Sequence, residues 1–296
     1  MAGLELATQP DVLSKCTILK YKSTDNPLGP TQTFYILGTA HISSKSCSDV
    51  QKLIRQVRPE VVVLELCRER TGILQPAEPE KHEKLQLREL VASWRAGNTT
   101  LFQIVYAFML RQLGDAVEVQ PGEEFRVAVL EALEVGAKLQ FGDRSLSITI
   151  ARVWAALSAW QKVKLVWYLC VTGIMVPDAK ELNAFMDSMK DTDVVTEAIK
   201  ELGQEFPQLL QPLIHERDQH IVWQLRLAAT KATKIVVVVG AGHLPGIRAN
   251  WDNPDIDYEE ITRMPEKKTS IITWRRVALV SVSGAAIAAL CFRLRR

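Results

Sequence analysis

Apolar residues recur at Val50, Leu53, Ile54 and Val57, one face of an amphipathic helix, and the run is flanked by two patches of different character. Before it, the aromatic and aliphatic run 34–37 is closed by Gly38, and after it the β-branched run 61–64 has the continuity of a buried parallel strand. Residues 34–70 therefore predict strand, loop, helix, strand. Ser46 and Asp49 form a capping box at the start of the helix, and Pro59 stops it.

Strands joined by a crossover helix run parallel, so their C-terminal ends open on one edge of the sheet, where α/β folds bind ligands. His41 and Glu65 lie just past those two ends. Were the strands direct neighbours, they would be about 4.8 Å apart, close enough for both side chains to share one ion or water. The pattern repeats in KIVVVV (234–239), followed by GAGHLPG, which brings His243 to the same edge. A third instance, 138–141, releases Gly142, Asp143 and Arg144. Strand ends that each deliver a glycine and then a histidine or carboxylate point to one convergent site.

The remaining pattern is mostly helical. Residues 16–20 predict a strand that pairs with 34–37 across a turn-rich loop, which makes the sheet mixed. Helical spacing at 85–94, 101–113 and 123–136 predicts a large helical insertion, about 78–231, over one face of the sheet. Residues 148–177 are apolar, with Trp154, Trp160, Trp167 and Tyr168. They are read as a buried helical pair joined near 159–164, with a membrane-surface element as the alternative. An amphipathic helix is expected over 178–202. Another at 213–229 carries HERDQH, whose histidines His215 and His220 stand about 140° apart on a helix and cannot chelate one ion together. The fold class is α/β (α+β): a mixed sheet with parallel β-α-β units, the helical insertion and a C-terminal transmembrane helix.

That last element is the uncharged stretch 277–292, roughly 16 residues, bracketed by Arg275 and Arg276 before it and Arg293, Arg295 and Arg296 after it. A spanning helix needs about 17–25 residues, and snorkelling arginines extend a short one. The N-terminal residues lack the pattern of a signal peptide, so the stretch predicts a tail anchor. The domain 1–262 then faces the cytosol beyond a basic linker, 263–276. The short span fits the mitochondrial outer membrane, with the endoplasmic reticulum or peroxisome as alternatives.

Composition narrows the classes. Across 296 residues the net charge is +2, which argues against nucleic-acid binding by bulk charge. Five scattered cysteines, Cys16, Cys47, Cys67, Cys170 and Cys291, indicate a reducing compartment and give no thiolate zinc spacing. Gly240, Gly242 and Gly246 form G-x-G-x-x-x-G, one residue too long for a dinucleotide fingerprint, and Cys67 has no adjacent histidine to activate it. His41, His243 and Glu65 supply the donors that Zn, Mn or Co accept, with Asp143 or another glutamate as a base for a metal-activated water.

The set LGTAHIS, VVVLELCRER, FGDRSLSI, HERD and VVGAGHLPGI resembles the TraB family, TraB/PrgY, over about 35–247. The resemblance extends to a wider superfamily with erythromycin esterases, a haem-binding lipoprotein group and Wnt-cleaving metallopeptidases. It implies a site of two G-x-x-H motifs and a glutamate: Gly38 with His41, Gly240 with His243, and Glu65. It also implies a role for Arg217 as partner of Glu65 or of a substrate carboxylate. Near the end of the domain, DIDYEEI, from Asp255 to Ile261, resembles the motif by which autophagy receptors add a strand to Atg8-like proteins, with Tyr258 and Ile261 as its anchors. Two functional readings stand open: a membrane-anchored, metal-dependent hydrolase of peptidase or esterase type, and a non-catalytic organelle-surface adaptor that uses the Tyr258 segment and the anchor.

Overall fold

The structure, a computed structural model, describes residues 11–22, 29–40, 44–74, 122–174 and 194–266. The chain forms two compact units, 1–264 and 265–296. The first is built on a five-stranded sheet of β1 (Thr17–Tyr21), β2 (Gln32–Thr39), β3 (Val61–Leu64), β4 (Lys138–Phe141) and β5 (Lys234–Gly240), in the order β1-β2-β5-β3-β4. β1 is antiparallel to β2 and the other pairings are parallel, so the sheet is mixed as the pattern predicts.

The predicted crossover is present, but β2 and β3 are not neighbours. β5 lies between them, pairing Ile36 with Val237 on one side and Val63 with Val237 on the other. Its residues Ile235 to Val239 are all buried, as both faces of a central parallel strand must be.

Helices cover both faces. On one, α1 (Ser44–Val57) packs Val50, Leu53 and Ile54 on Val62, Leu64, Val236 and Val238, together with Phe125, Ala128 and Ala132 of α2 (Glu123–Val135). Gly136 ends α2 at φ 75°, a left-handed conformation that favours glycine, and the amide of Ala137 returns to Ala132 O. The Ser46 and Asp49 box does not start α1, which begins at Ser44; the Asp49 carboxylate instead binds Lys15 Nζ at 2.6 Å.

Three further helices, α3 (Leu146–Ala156), α4 (Ala159–Ile174) and α5 (Val194–Glu205), follow β4, and Val153, Leu157, Leu165, Phe206 and Leu209 form a cluster of their own among them. The other face of the sheet receives Ile221, Val222, Leu225 and Ala228 of α6 (Glu216–Ala229), with Ile247 of α7 (Leu244–Asn250) and Trp251. Each fully buried aliphatic side chain in these layers contributes about 1.5–3 kcal/mol.

The stretch 78–231 is thus not helical cover alone: it supplies an edge strand, β4, and the central helix of one face, α6. The helices expected at 85–94 and 101–113 lie outside the described residues. So do His41 and the 277–292 span. Among the described residues no helix is long and apolar enough to cross a membrane.

Candidate functional site

Four of the residues expected at the site meet at the C-terminal edge of the sheet. Glu65 follows β3, and its amide still bonds Val238 O at 3.0 Å, which fixes the carboxylate beside the end of β5. There Glu65 Oε2 accepts from the Gly240 amide at 2.6 Å. Asp143 follows β4, its amide donating to Leu66 O at 3.2 Å. Arg217, near the start of α6, reaches across both strand ends. Its Nη2 donates to Glu65 Oε1 at 2.5 Å, and its Nε and Nη2 clamp Asp143 at 2.9 Å each, a bidentate pair. Arg70, half-exposed at the rim, stands 3.9 Å from Asp143.

His243 comes from the short 3-10 turn that closes β5, and it is buried. Its Nε2 donates to Glu65 Oε1 at 3.0 Å, so one carboxylate oxygen takes both the guanidinium and the imidazole. Its Nδ1 donates to Asp218 Oδ1 at 2.5 Å. Three carboxylates, Glu65, Asp143 and Asp218, thus surround two cationic groups, Arg217 and His243.

Burial pulls His243 toward its neutral form, but the Glu65 charge and the Asp218 contact outweigh it and push the pKa up to about 10. Burial alone would raise Asp143 and lower Arg217. Their mutual attraction reverses both, leaving Asp143 below the usual carboxylate range and Arg217 above its ordinary value.

The imidazole charge makes stability depend on pH. His243 is charged in the folded state up to about pH 10 and loses its proton near 6.5 when unfolded. The stability it contributes is therefore complete below pH 6.5 and disappears as pH rises through about 10. Denaturant melts across this window should show a falling unfolding free energy, and His243→Gln should flatten the fall. His220, whose pKa burial lowers, acts in the opposite sense and only on the acid side of its ordinary value.

Asp218 is the residue that the sequence pattern does not single out. HERD reads as the charged face of a surface helix, yet Glu216, Arg217 and Asp218 are each committed inward. Glu216 binds Arg144 Nη1 at 2.5 Å and Arg152 Nε at 2.7 Å. Arg144, fully buried, also donates to the carbonyls of Pro212 and Ile261. The usable signal is three adjacent charges facing an apolar sheet edge, which requires partners from elsewhere.

A metal is implied by the family resemblance, and two of its three expected donors, Glu65 and His243, meet here. Among the described residues no three His, Cys, Asp or Glu side chains form a metal-binding group, and His41, the third expected donor, lies outside them. In this structure both His243 nitrogens meet carboxylates, both Glu65 oxygens accept from donors, and the positive charges beside Glu65 are Arg217 and His243.

The Tyr258 segment is also different from expectation. Asp257 caps a short helix, α8 (Tyr258–Thr262), by accepting from the Glu260 amide at 2.9 Å. Tyr258 stacks on Trp223 with ring centroids 3.7 Å apart, and Ile261 is buried. A strand-adding motif uses an extended backbone and two free side chains, so the segment would have to unwind and leave Trp223 to serve as one. Cys67 is a buried free thiol.

Residues 28–254 match the model of the TraB/PrgY/gumN family. The chain belongs to the TraB/PrgY/gumN family. It is 34% identical over 281 residues to the TraB domain-containing proteins of Bos taurus and Homo sapiens, covering 88% of this chain and 72% of each relative. An uncharacterized protein of Methanocaldococcus jannaschii is 28% identical over 247 residues, 80% of this chain and 59% of that protein. In this TraB-family chain four of the five motifs deliver Glu65, Asp143, Arg217, Asp218 and His243 to one cluster.

Proposed function

We propose that the cluster is a hydrolytic acid–base centre of peptidase or esterase type. The observation that carries this reading is Glu65 Oε1, which takes Arg217 Nη2 at 2.5 Å and His243 Nε2 at 3.0 Å while Asp218 holds the far side of the imidazole at 2.5 Å. A carboxylate and an imidazolium in contact, each oriented by a further charged group, are the parts of a general base and a general acid.

A substrate carbonyl entering between Nε2 and Oε1 separates the pair. Relieved of the Glu65 charge, His243 loses the chief influence that holds its proton, and its pKa falls toward working pH. Glu65 then takes a proton from the attacking water as its oxygen bonds the carbonyl carbon. His243 gives its proton to the leaving ester oxygen or amide nitrogen as that bond breaks. The proton on Glu65 returns to His243 across the contact that re-forms, so atoms and charge balance. Arg217 keeps Glu65 aligned and Asp218 keeps the imidazole aligned. No step passes through a metal.

The same reading anchors the domain to a membrane through 277–292. Support comes from the uncharged stretch and its five flanking arginines, and the short span favours the mitochondrial outer membrane.

The full chain is assayed on p-nitrophenyl acetate and on a mixed peptide pool, with and without a chelator. The expected result is turnover that survives chelation and falls about 100-fold or more in both Glu65→Gln and His243→Ala. Turnover lost on chelation and restored by Zn, Mn or Co, with His41→Ala equally inactive, would replace this mechanism with a metal-dependent one. No turnover from the folded chain on any substrate would favour the adaptor reading.

A further inference from the structure

α4 is apolar on two sides. Leu165 turns inward, fully buried against Phe206 and Leu209, while Trp160, Val163 and Trp167 turn outward, 70%, 47% and 68% exposed. These three stand at i, i+3 and i+7, one stripe along the helix. A soluble surface rarely spends two tryptophans in this way, and such a stripe marks an interaction face.

Three observations identify what meets it. First, tryptophan with an aliphatic neighbour is the composition that settles at the boundary between lipid headgroups and acyl chains. Second, the lysines of α4 are drawn aside: Lys164 Nζ binds Glu205 at 2.7 Å and Lys162 lies over the Trp154 ring. The face is therefore apolar rather than basic, suited to lipid without net charge. Third, the chain leaves the first unit beside α3, the helix that leads directly into α4. Arg152 of α3 donates to the carbonyls of Glu260 and Arg263 at 2.9 and 3.2 Å, and the next residue, Met264, is itself 54% exposed. From Met264 to Val277, where the uncharged stretch begins, an extended chain reaches no more than about 45 Å.

We propose that the outward face of α4, carrying Trp160, Val163 and Trp167, lies in the interfacial layer of the bilayer that receives 277–292. This rests on the anchor reading above and extends it. The segment tethers the domain, and α4 fixes which side of the domain meets the membrane.

The test uses the full chain with phosphatidylcholine vesicles, with and without bromine in the acyl chains, and reads two signals. Flotation with the vesicles reports the tail. Quenching by brominated lipid reports tryptophan contact, and the comparison is between the natural chain and a Trp160→Phe, Trp167→Phe variant. The expected result is equal flotation of both, insensitive to salt, with most of the quenchable fluorescence lost in the variant. What remains then belongs to tryptophans outside α4, Trp274 beside the tail among them.

Flotation with no difference in quenching between the two proteins would overturn the α4 contact and leave the anchor standing. If Trp160 and Trp167 escape brominated lipid yet are shielded from aqueous acrylamide in the floated protein, their cover is protein, from this chain or a second copy, and the proposal fails. Absence of flotation would overturn the anchor reading and the α4 contact together.

Discussion

Arg217→Met should cost the fold about 3–5 kcal/mol, because it leaves Glu65 and Asp143 buried at one strand edge with their shared counter-charge gone. Calorimetry should record a fall in Tm on the order of 10 °C. The loss comes from two buried carboxylates deprived of a counter-charge rather than from missing volume, which a second measurement isolates. Adding Glu65→Gln and Asp143→Asn to Arg217→Met should return part of the stability, since the same shapes then carry no charge to strand. A loss below about 1 kcal/mol in the single variant would mean that water reaches the cluster freely and that the pairing has surface strength only.

Gly246→Ala should damage the same cluster from the other side. A Cβ at position 246 would fall 1.8 Å from Asp218 Oδ2 and 2.9 Å from its Cβ, so the carboxylate and its stem both have to move. Displacement of this kind in a packed interior costs about 1–3 kcal/mol. The informative consequence is electrostatic. Asp218 is the group that holds His243 Nδ1, and swinging it away should lower the imidazole pKa from about 10. NMR titration of His243 reads this directly. Gly72→Ala, at a position where an added methyl meets nothing within 4 Å among the described residues, is the control and should change neither stability nor titration. An unchanged His243 titration in Gly246→Ala would show that Asp218 is not what orients the ring.

How much of this is legible in the sequence depends on the range of the interaction. β2, α1, β3, β4 and β5 stand close to where alternation and buried runs place them, because each is decided by the side chains of one short segment. The strand order is not legible. Nothing local to 61–64 says that a strand about 170 residues later will slip between it and 32–39, and that insertion is what sets Glu65 beside Gly240 and His243. Glu65, Asp143, Arg217 and His243 are identifiable as residues released at strand ends or as partners for them. Asp218 is not, since its importance comes from the close passage of α7, made possible by Gly246.

α4 shows the opposite failure. Apolar residues all round a helix imply burial, but only one side of α4 has a neighbour among the described residues' core clusters, and the two tryptophans face out. The Tyr258 segment departs from expectation for a related reason: a four-residue motif carries no information about whether Asp257 will cap it into a helix.

The position of β5 bears on how the molecule is made. Of the five strands it is the last to leave the ribosome and the one on which the sheet depends, since β2 and β3 touch through it alone. Until residue 240 has emerged, each half of the sheet carries a bare, apolar edge able to pair with the wrong chain. Folding of this unit therefore waits for synthesis of β5, and the charged cluster, which needs β3, β4, β5 and α6 at once, is absent from every shorter nascent chain. A truncation before β5 should yield an aggregating product that requires chaperones rather than a smaller working domain.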